Sequence, residues 1–343
     1  MMIERALSVV VIGRNEGERL KRCLESVTMM EPLGGPIELL YVDSASTDGS
    51  PEVASDYGAK VIRINPARPC AAAGRNAGWK AAAAEIVLFL DGDTVLAPKF
   101  VADSLHHFND QRIAVVFGRR REIKPETSIF NRVLDLDWVY PERQALFCGG
   151  DALIRRSVLE EVNGFDERLI AGEEPEMCWR IRAKGYKIVG VDRSMVAHDL
   201  AMTRWSQYWR RALRSGFALA EISTRFRHTS SPLWLRESRR NILQGIIMLA
   251  LFLLAPTLAI VCRTPIPIAL AIGIVSLLTV RTAHRARWKS RRLVTLLLYG
   301  LHSHVQHIPI LFGQLTYQHA RRTGRVQGLI EYKTAEAIAF PHK

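Results

Sequence analysis

The stretch IVLFLDGD at residues 86–93 decides the fold class of this chain. Five apolar residues in succession are typical of a β-strand that is buried on both faces. Asp91 and Asp93 follow at the carboxyl end of that strand, where ligands of α/β sheets bind, and Gly92 permits close backbone approach. Carboxylates are suitable ligands for a hard divalent cation. An Asp-Gly-Asp turn is weak evidence alone, but its position after a buried strand favours a functional role.

Working outward, strand-like and helix-like segments alternate through the first 120 residues. Short apolar runs rich in β-branched residues lie at 7–12, 37–42, 60–64, 86–90 and 113–118. Helical stretches lie at 16–29, 50–57, 71–84 and 98–109. This alternation predicts an α/β fold, a mostly parallel sheet with helices on both faces. A second structured stretch, 148–192, is predicted to contain a helix opened by Pro175 and a strand at 187–191.

The positive charge of the chain is concentrated in its last third. The formal net charge is +13, but residues 1–230 carry 32 basic and 31 acidic side chains. Residues 231–343 carry 15 basic and 3 acidic ones among apolar segments. This distribution argues against a nucleic-acid groove and favours anionic lipid headgroups. The five cysteines lack zinc-site spacing and fit a reducing compartment.

Two apolar runs after residue 230 predict a membrane hairpin. The first, 242–262, is long enough to span a bilayer, and the second, 266–280, is short for a span. Basic residues flank the hairpin on both sides, whereas Arg263 alone lies in its turn, so the flanks are expected in the cytoplasm. A third apolar stretch, 293–315, contains three histidines and Pro309. A span and a re-entrant or interfacial segment both remain open for it.

Four motifs occur in order along the first hundred residues. They read SVVVIGRNE at 8–16, DSASTDGS at 43–50, GRNAGWKAA at 74–82 and LDGD at 90–93. Each lies after or beside a predicted strand. The set resembles family 2 of the glycosyltransferases, whose nucleotide-binding fold is called GT-A, and the resemblance covers about residues 6–200. The order of four motifs is specific for the family and far less specific for the sugar.

The resemblance implies a donor site and a metal site at the strand ends. Donor-binding residues would be Arg14, Asn15, Glu16, Asp43, Ser44, Arg75, Asn76 and Asp91. Within this set Asp43 would bind the base, Arg75 and Asn76 would lie near the base and the diphosphate, and Asp91 would meet the ribose. Mg²⁺ or Mn²⁺ would be held by Asp93 with Asp91 and His198. Turn and helix capping is an alternative role for Asp43 and the preferred one for Asp48.

The segment GEEPEMCWR at 172–180 contains the candidate catalytic base. The family usually has Glu-Asp here, and the resemblance assigns the second acid as the base. In this chain that residue is Glu174, one methylene longer than the aspartate. At a helix N-terminus the helix dipole would favour its ionised form, which a base requires. An acidic first turn without a catalytic role is the alternative, but the match to the family pattern favours the catalytic role for Glu174.

Acceptor-side residues are expected in three segments. The resemblance implies a glycine turn, Gly149 and Gly150, and Glu173 beside the base. Further along, WSQYWRRALR at 205–214 has aromatic and arginine residues at helical spacing, which indicates a helix in the membrane interface. Gln207 and Arg210 match the Gln-x-x-Arg-Trp of processive synthases. Arg211 replaces the tryptophan, which argues against a processive enzyme.

The sequence therefore predicts a GT-A domain at 1–230 with an interfacial helix near its end, membrane-embedded helices at 231–320, and a basic tail at 321–343. The expected activity is inverting transfer of a sugar from a nucleotide-sugar donor to a hydroxyl of a lipid-linked saccharide, and the resemblance implies a UDP sugar as the commonest donor. The catalytic domain would face the cytoplasm at the inner membrane, in contact with membrane lipids. A polyprenyl-phosphate glycosyltransferase and a non-catalytic nucleotide-sugar-binding scaffold are the alternatives.

Overall fold

The computed structural model describes residues 6–139 and 143–324 of the 343-residue chain. The chain divides into two compact units. The sheet unit comprises Met1–Ile123 and Val139–Leu200, and the helical unit comprises Lys124–Trp138 and Ala201–Lys343. Most of the predicted basic tail, from residue 325 onward, lies outside the described residues.

The first half of the sheet is parallel, as the alternation predicts. Strands β1 (Leu7–Gly13), β2 (Ile37–Asp43), β3 (Lys60–Arg63) and β4 (Ile86–Asp91) pair side by side in the order β3-β2-β1-β4. The side chains of β1 from Leu7 to Val11 and those of β4 from Val87 to Leu90 are almost completely buried. These strands form the core because both faces of the sheet are covered.

The second half of the sheet is mixed rather than parallel. It contains β5 (Thr94–Leu96), β6 (Ile113–Glu122), β7 (Arg143–Gln144), β8 (Ala152–Arg155) and β9 (Lys187–His198). Strand β8 lies antiparallel between β4 and β6, and β9 pairs parallel with β6 and antiparallel with β5 and β7. Insertion of β8 brings the residues that precede it to the end of β4.

Helices cover the sheet. They are α1 (Glu18–Thr28), α2 (Ser50–Asp56), α3 (Ala71–Ala81), α4 (Phe100–Ser104) with a 3₁₀ turn (Leu105–Asn109), α6 (Arg156–Glu161) and α7 (Glu173–Ala183). The glycines of GRNAGWKAA set the approach of α3 to β1. A Cβ atom on Gly78 would lie 2.2 Å from Val10 Cγ1, so a larger residue there would push the helix away.

The helical unit consists of a 3₁₀ turn (Pro125–Thr127), α5 (Ile129–Asp137), α8 (Trp205–Phe226), α9 (Leu235–Val261), α10 (Ile266–Arg285), α11 (Leu293–Val305) and α12 (His307–Thr323). Polar contacts tie three of them together. Tyr208 Oη and His302 Nδ1 are 2.8 Å apart, and His302 Nε2 lies 3.3 Å from Asp137 Oδ2. This chain of contacts joins α8, α11 and α5.

The helices of this unit cross at glycines. A Cβ atom on Gly216 of α8 would lie 2.1 Å from the carbonyl oxygen of Ile310 in α12. A Cβ atom on Gly313 of α12 would lie 2.0 Å from the Leu213 carbonyl oxygen of α8. A Cβ atom on Gly300 of α11 would lie 2.3 Å from the Thr279 carbonyl oxygen of α10. Small residues at crossings let helix backbones approach closely, which is how helices associate in membranes.

Helices α9 and α10 are long and apolar enough to cross a membrane. Very little of their surface is covered by the rest of the protein, since only 11% of the most apolar part of α9 and 6% of that of α10 is buried. The side chains of Leu253, Leu270 and Leu277 are between 59% and 70% exposed. The third apolar stretch does not form one helix. It is divided between α11 and α12 at Gln306, beside the histidines and Pro309 that interrupt the sequence pattern.

Candidate active site

The Asp91-Gly92-Asp93 turn joins β4 to β5 and packs tightly against the end of β1 at its glycine. The Gly92 N–H donates to the Ile12 carbonyl oxygen at 2.8 Å. A Cβ atom there would lie 3.1 Å from that oxygen and 3.2 Å from Glu16 Cγ. Thr94 Oγ1 donates to the Asp91 carbonyl oxygen at 2.7 Å and closes the turn. The backbone therefore holds the two carboxylates in a fixed position beside the end of β1.

Arg75 connects the donor-side acid to the candidate base. From the buried face of α3 its guanidinium donates to Asp91 Oδ1 at 2.8 Å and to Glu173 Oε1 at 2.9 Å. Its Nη1 also lies 3.1 Å from Glu174 Oε1. Burial acts to raise the pKa of Asp91, but the charges of Arg75 and Arg120 outweigh it and hold that pKa below its usual value. Asp91 is therefore ionised at neutral pH.

Glu174 occupies the first turn of α7, as predicted, but its ionisation differs from the expectation. Burial, together with the neighbouring Glu173 carboxylate, raises the pKa of Glu174 to about 7, although Arg75 acts in the opposite direction. The helix dipole is too weak to prevent this, because removing a carboxylate from water costs more than a helix end supplies. A carboxylate with a pKa near 7 is well matched to general-base chemistry at neutral pH.

Asp93 and His198 lie together beyond the end of β4. Strand β9 continues to His198 rather than ending at residue 191, and it pairs His198 with Thr94 of β5. His198 Nε2 lies 3.4 Å from Asp93 Oδ2, and both side chains are buried. The antiparallel β5–β9 pairing thus assembles two predicted metal ligands that are about a hundred residues apart in sequence.

Asp151 and Arg120 join the cluster, and sequence reasoning missed both. Asp151 Oδ1 accepts from the Asp91 N–H at 2.9 Å and from Thr94 Oγ1 at 3.3 Å, and its Oδ2 forms an ion pair with Arg120. Burial raises the pKa of Asp151 to about 6 despite that ion pair. The signal that could have found Asp151 is its place directly after Gly149-Gly150, before an apolar strand.

The glycine turn contacts the donor-side residues. A Cβ atom on Gly150 would lie 2.3 Å from Arg75 Nη2 and 2.7 Å from Asp91 Oδ2. A Cβ atom on Gly149 would lie 3.5 Å from Arg120 Nη2. Gly150 therefore leaves room for the Arg75–Asp91 ion pair, which is compatible with the predicted position of this turn beside the acceptor.

Asp43 borders a cavity of about 280 Å³ at the end of β2, which Ser46, Pro51, Ile64 and Asn65 also line. Asp43 Oδ2 accepts from the Ser46 N–H at 3.0 Å, and the Asp43 side chain is buried. Capping of the turn and a contact with a ligand in this cavity are compatible roles for one carboxylate. The Ser44 N–H donates to the Gly13 carbonyl oxygen at 3.1 Å, which ties the two strand ends together.

Other predicted donor residues serve the loops in this structure. Asn15 Oδ1 accepts from the Thr47 N–H at 2.7 Å and so links the loops after β1 and β2. The buried Asn76 amide is engaged by the loop that precedes α7, since its Nδ2 donates to the Phe165 carbonyl oxygen and its Oδ1 accepts from the Phe165 N–H. Glu16 Oε2 pairs with Arg19 at 2.9 Å, and Arg14 is exposed.

Two predicted acceptor residues belong to the helical unit. Gln207 Oε1 accepts from the backbone N–H groups of Thr203 and Arg204 at 2.9 Å and caps the start of α8. Arg210 is half-buried on the same helix. Gln207 therefore has a structural role in starting this helix. Glu173, in contrast, lies in the sheet unit, where it is buried against Arg75.

The cluster fits a divalent cation that is completed by its substrate. Among residues 6–139 and 143–324, no three histidine, cysteine or acidic side chains form a ready-made metal site. Mg²⁺ and similar cations, however, are commonly held by one or two carboxylates together with substrate phosphates. The buried Asp93–His198 pair supplies one carboxylate and one imidazole, and the cluster as a whole contains more carboxylates than guanidinium groups. These donors are suited to Mn²⁺ or Mg²⁺.

Comparisons with known proteins agree with this geometry. Residues 8–162 match the family described as glycosyl transferase family 2, and residues 86–280 match glycosyl transferase family group 2. A pre-mycofactocin glycosyltransferase of Mycobacterium tuberculosis is 27% identical over 244 residues, which cover 67% of this chain and 50% of that protein. The O-antigen chain rhamnosyltransferase WbaN of Salmonella anatum is 28% identical over 198 residues, 51% of this chain and 60% of that one.

Solved structures show the same fold. Mannosyltransferase PcManGT from Pyrobaculum calidifontis, in complex with GDP-Man and Mn²⁺, has a TM-score of 0.61 at 18% identity and covers 88% of this chain and 87% of its own. TarS 1-349 of S. aureus has a TM-score of 0.50 at 14% identity, covering 93% and 91%. The matched segments span only 50% and 60% of the lengths of these two curated relatives. The structural likenesses support the GT-A arrangement.

Proposed function

The chain belongs to the family 2 glycosyltransferases, and on this basis we propose that it moves a sugar from a nucleotide-sugar donor to a hydroxyl group of a lipid-linked saccharide. The observation that carries the proposal is the cluster of Asp91, Asp93, Arg75, His198 and Glu174 at the strand ends. It combines an ion-paired acid, a candidate cation site and a carboxylate of raised pKa in one place. Such a combination is typical of an active site.

Glu174 is the proposed catalytic base. Its carboxylate takes the proton from the acceptor hydroxyl as that oxygen attacks the anomeric carbon of the donor sugar. The bond from that carbon to the diphosphate breaks in the same displacement, so the configuration inverts. Arg75, which contacts both Glu174 and Asp91, orients the base relative to the donor side of the cluster. The raised pKa lets Glu174 both accept and release a proton near pH 7.

Asp93 and His198, with Asp91 nearby, are the proposed ligands of Mn²⁺ or Mg²⁺. When held there, such a cation would neutralise charge on the departing nucleoside diphosphate. The presence of Mn²⁺ in the PcManGT complex supports a divalent metal in this fold. The nucleobase is proposed to lie in the cavity beside Asp43. UDP and GDP sugars are the first donors to test, because PcManGT was solved with GDP-Man and the family most often uses UDP.

The acceptor is proposed to be membrane-bound because the chain carries its own apolar hairpin. Helices α9 and α10 expose leucine and isoleucine side chains along their length, which is a surface for lipid rather than water. Basic residues lie before the hairpin, up to Arg240, and after it, from Arg281 onward, whereas Arg263 alone lies in its turn. The positive-inside rule then orients the sheet unit toward the cytoplasm at the inner membrane.

Donor turnover tests the proposal. The full chain in detergent would be given Mg²⁺ or Mn²⁺, a membrane lipid extract and a panel of UDP, GDP and dTDP sugars, with release of nucleoside diphosphate as the readout. We expect metal-dependent release from one donor, which Glu174→Gln lowers by about 10²- to 10⁴-fold and Asp93→Asn abolishes. Glu160→Gln, at an exposed acid paired with Arg156, is the matched control and should retain full activity.

Each other outcome has a definite meaning. Release that persists in Glu174→Gln would reject the base assignment and favour a lipid phosphate as acceptor, because a phosphate oxygen needs no deprotonation. Donor binding with no release from any sugar in the panel would reject the transferase in favour of a nucleotide-sugar-binding scaffold. Release of nucleoside diphosphate at the same rate after metal chelation would reject the roles of Asp93 and His198 as metal ligands.

A further inference from the structure

The cluster contains two arginines whose surroundings differ. Arg75 is 3% exposed and contacts three carboxylates, those of Asp91, Glu173 and Glu174. A planar guanidinium with several acidic partners is committed to holding them in place. Arg75 is therefore poorly placed to bind a phosphate group, although its motif suggested a position near the diphosphate.

Arg120, on β6, has a different environment. Its side chain is 18% exposed and forms its ion pair with Asp151, which is 1% exposed. Its Nη2 lies 3.9 Å from Asp91 Oδ2, and Asp91 is itself 27% exposed. Gly149 is close enough that a Cβ atom there would lie 3.8 Å from Arg120 Cζ. Arg120 therefore lies partly exposed in the cluster, between Asp151 and Asp91.

Asp151 anchors this arginine and the acidic turn together. One of its oxygens accepts from the Asp91 N–H and from Thr94 Oγ1, and the other holds Arg120. The position of the guanidinium is therefore coupled to the position of Asp91 and of the turn that leads to Asp93. A buried acid with partners on three segments keeps an arginine at a set distance from a ligand.

From this arrangement we infer that Arg120 binds the diphosphate of the nucleotide-sugar donor, with Asp151 as its positioning residue. A guanidinium donates parallel hydrogen bonds to phosphate oxygens and stays charged at all relevant pH values. Beside the ionised Asp91, the Arg120 guanidinium would contact the phosphates of the donor rather than its nucleobase. The inference rests on the proposed function, since it presumes a nucleotide-sugar donor.

Binding of matched ligands tests this role without any need for turnover. Titration calorimetry on the full chain in detergent with Mn²⁺ would compare UDP with uridine, GDP with guanosine and dTDP with thymidine. Arg120→Ala should weaken binding of the preferred nucleoside diphosphate by about 10- to 100-fold, the loss expected for hydrogen bonds to a charged group. The affinity for the corresponding nucleoside should not change. Arg120→Lys should recover part of the loss, because a point charge remains.

Two further variants separate binding from folding. Arg119→Ala, at the adjacent half-exposed arginine that pairs with Asp192, should bind both ligands as the wild type does. Asp151→Asn should weaken binding of the diphosphate but not of the nucleoside, since Arg120 loses its anchor. Equal losses for nucleoside and diphosphate in Arg120→Ala would overturn the inference and assign a structural role. Unchanged diphosphate binding would also overturn it, and a wild type that binds none of UDP, GDP and dTDP would overturn the proposed function as well.

Discussion

The two units of the chain distribute charge and apolar surface in opposite ways. In the sheet unit, charged side chains such as those of Arg75 and Asp93 are buried and paired. In the helical unit, large apolar side chains are exposed along α9 and α10, and Leu277 is 70% exposed. One unit thus gathers charge inside an apolar core, and the other presents apolar groups on its outside.

This difference fits the proposal that the helical unit contacts lipid while the sheet unit contacts water. Buried charges are tolerated only when they are paired and hydrogen-bonded, and the sheet unit uses those pairs to build a reactive cluster. Exposed leucines are unfavourable in water but neutral in lipid, where helix association depends on close backbone packing instead. The glycine crossings at Gly216, Gly300 and Gly313 provide that packing.

The largest expected effect comes from placing a charge on the apolar face of α9. Leu254→Arg, at a side chain that is 58% exposed, should reduce membrane retention, because an arginine at the centre of a span costs about 2.5 to 3.5 kcal/mol. Met29→Arg, at a side chain 60% exposed in the sheet unit, should have no effect. The measurement is the fraction of chain left in carbonate-washed membranes. Equal retention of both variants would show that α9 does not face lipid.

A smaller effect is expected from filling a helix crossing. Gly216→Ala would place a Cβ atom 2.1 Å from the Ile310 carbonyl oxygen, so α8 and α12 must separate, at a cost of about 1 to 3 kcal/mol. Gly273→Ala on α10 meets no atom within 4 Å and should leave stability equal or slightly higher. Thermal unfolding in one detergent compares the two. A similar Tm for both variants would rule out tight packing at Gly216.

The last expected effect is a rise of kcat/KM with pH, which depends on a group in the sheet unit. Because the pKa of Glu174 is raised to about 7, the base is protonated below that pH and ionised above it. We expect kcat/KM to increase about tenfold per pH unit from pH 5 to near 7 and then to level off. The residual kcat/KM of Glu174→Gln should not rise with pH in this range. A flat wild-type profile across that range would separate Glu174 from the proton transfer.

Much of the site could be predicted because its motifs lie at strand ends. The period of each apolar run identifies β1, β2 and β4, and parallel pairing brings their carboxyl ends to one edge of the sheet. Asp91 and Asp93 were predicted in this way, whereas Arg75 and Glu174 were predicted from the family resemblance, and the structure brings Arg75 into contact with Asp91 and Glu174. The hairpin was found from its length and composition, and the structure forms two helices there.

The contributions of β6 and β8 could not be predicted from local pattern. The glycine turn marks Asp151 as a residue of interest, but it does not indicate that β8 inserts antiparallel between β4 and β6 and so brings Asp151 and Arg120 to Asp91. The commitment of Asn76 to the loop before α7 likewise depends on Phe165, far along the chain. Strand pairing between distant segments depends on the whole packed core, so short-range periodicity carries little information about it.

By itself the sequence determined the fold class, the order of the first strands and helices, the apolar hairpin and the set of chemically capable side chains. These follow from local periodicity and composition, which act over a few residues. Only the tertiary structure decided which of those side chains meet, how deeply they are buried and therefore how they ionise. Glu174 illustrates the reason: its residue type and helix position favour an ionised acid, whereas burial beside Glu173 raises its pKa to about 7.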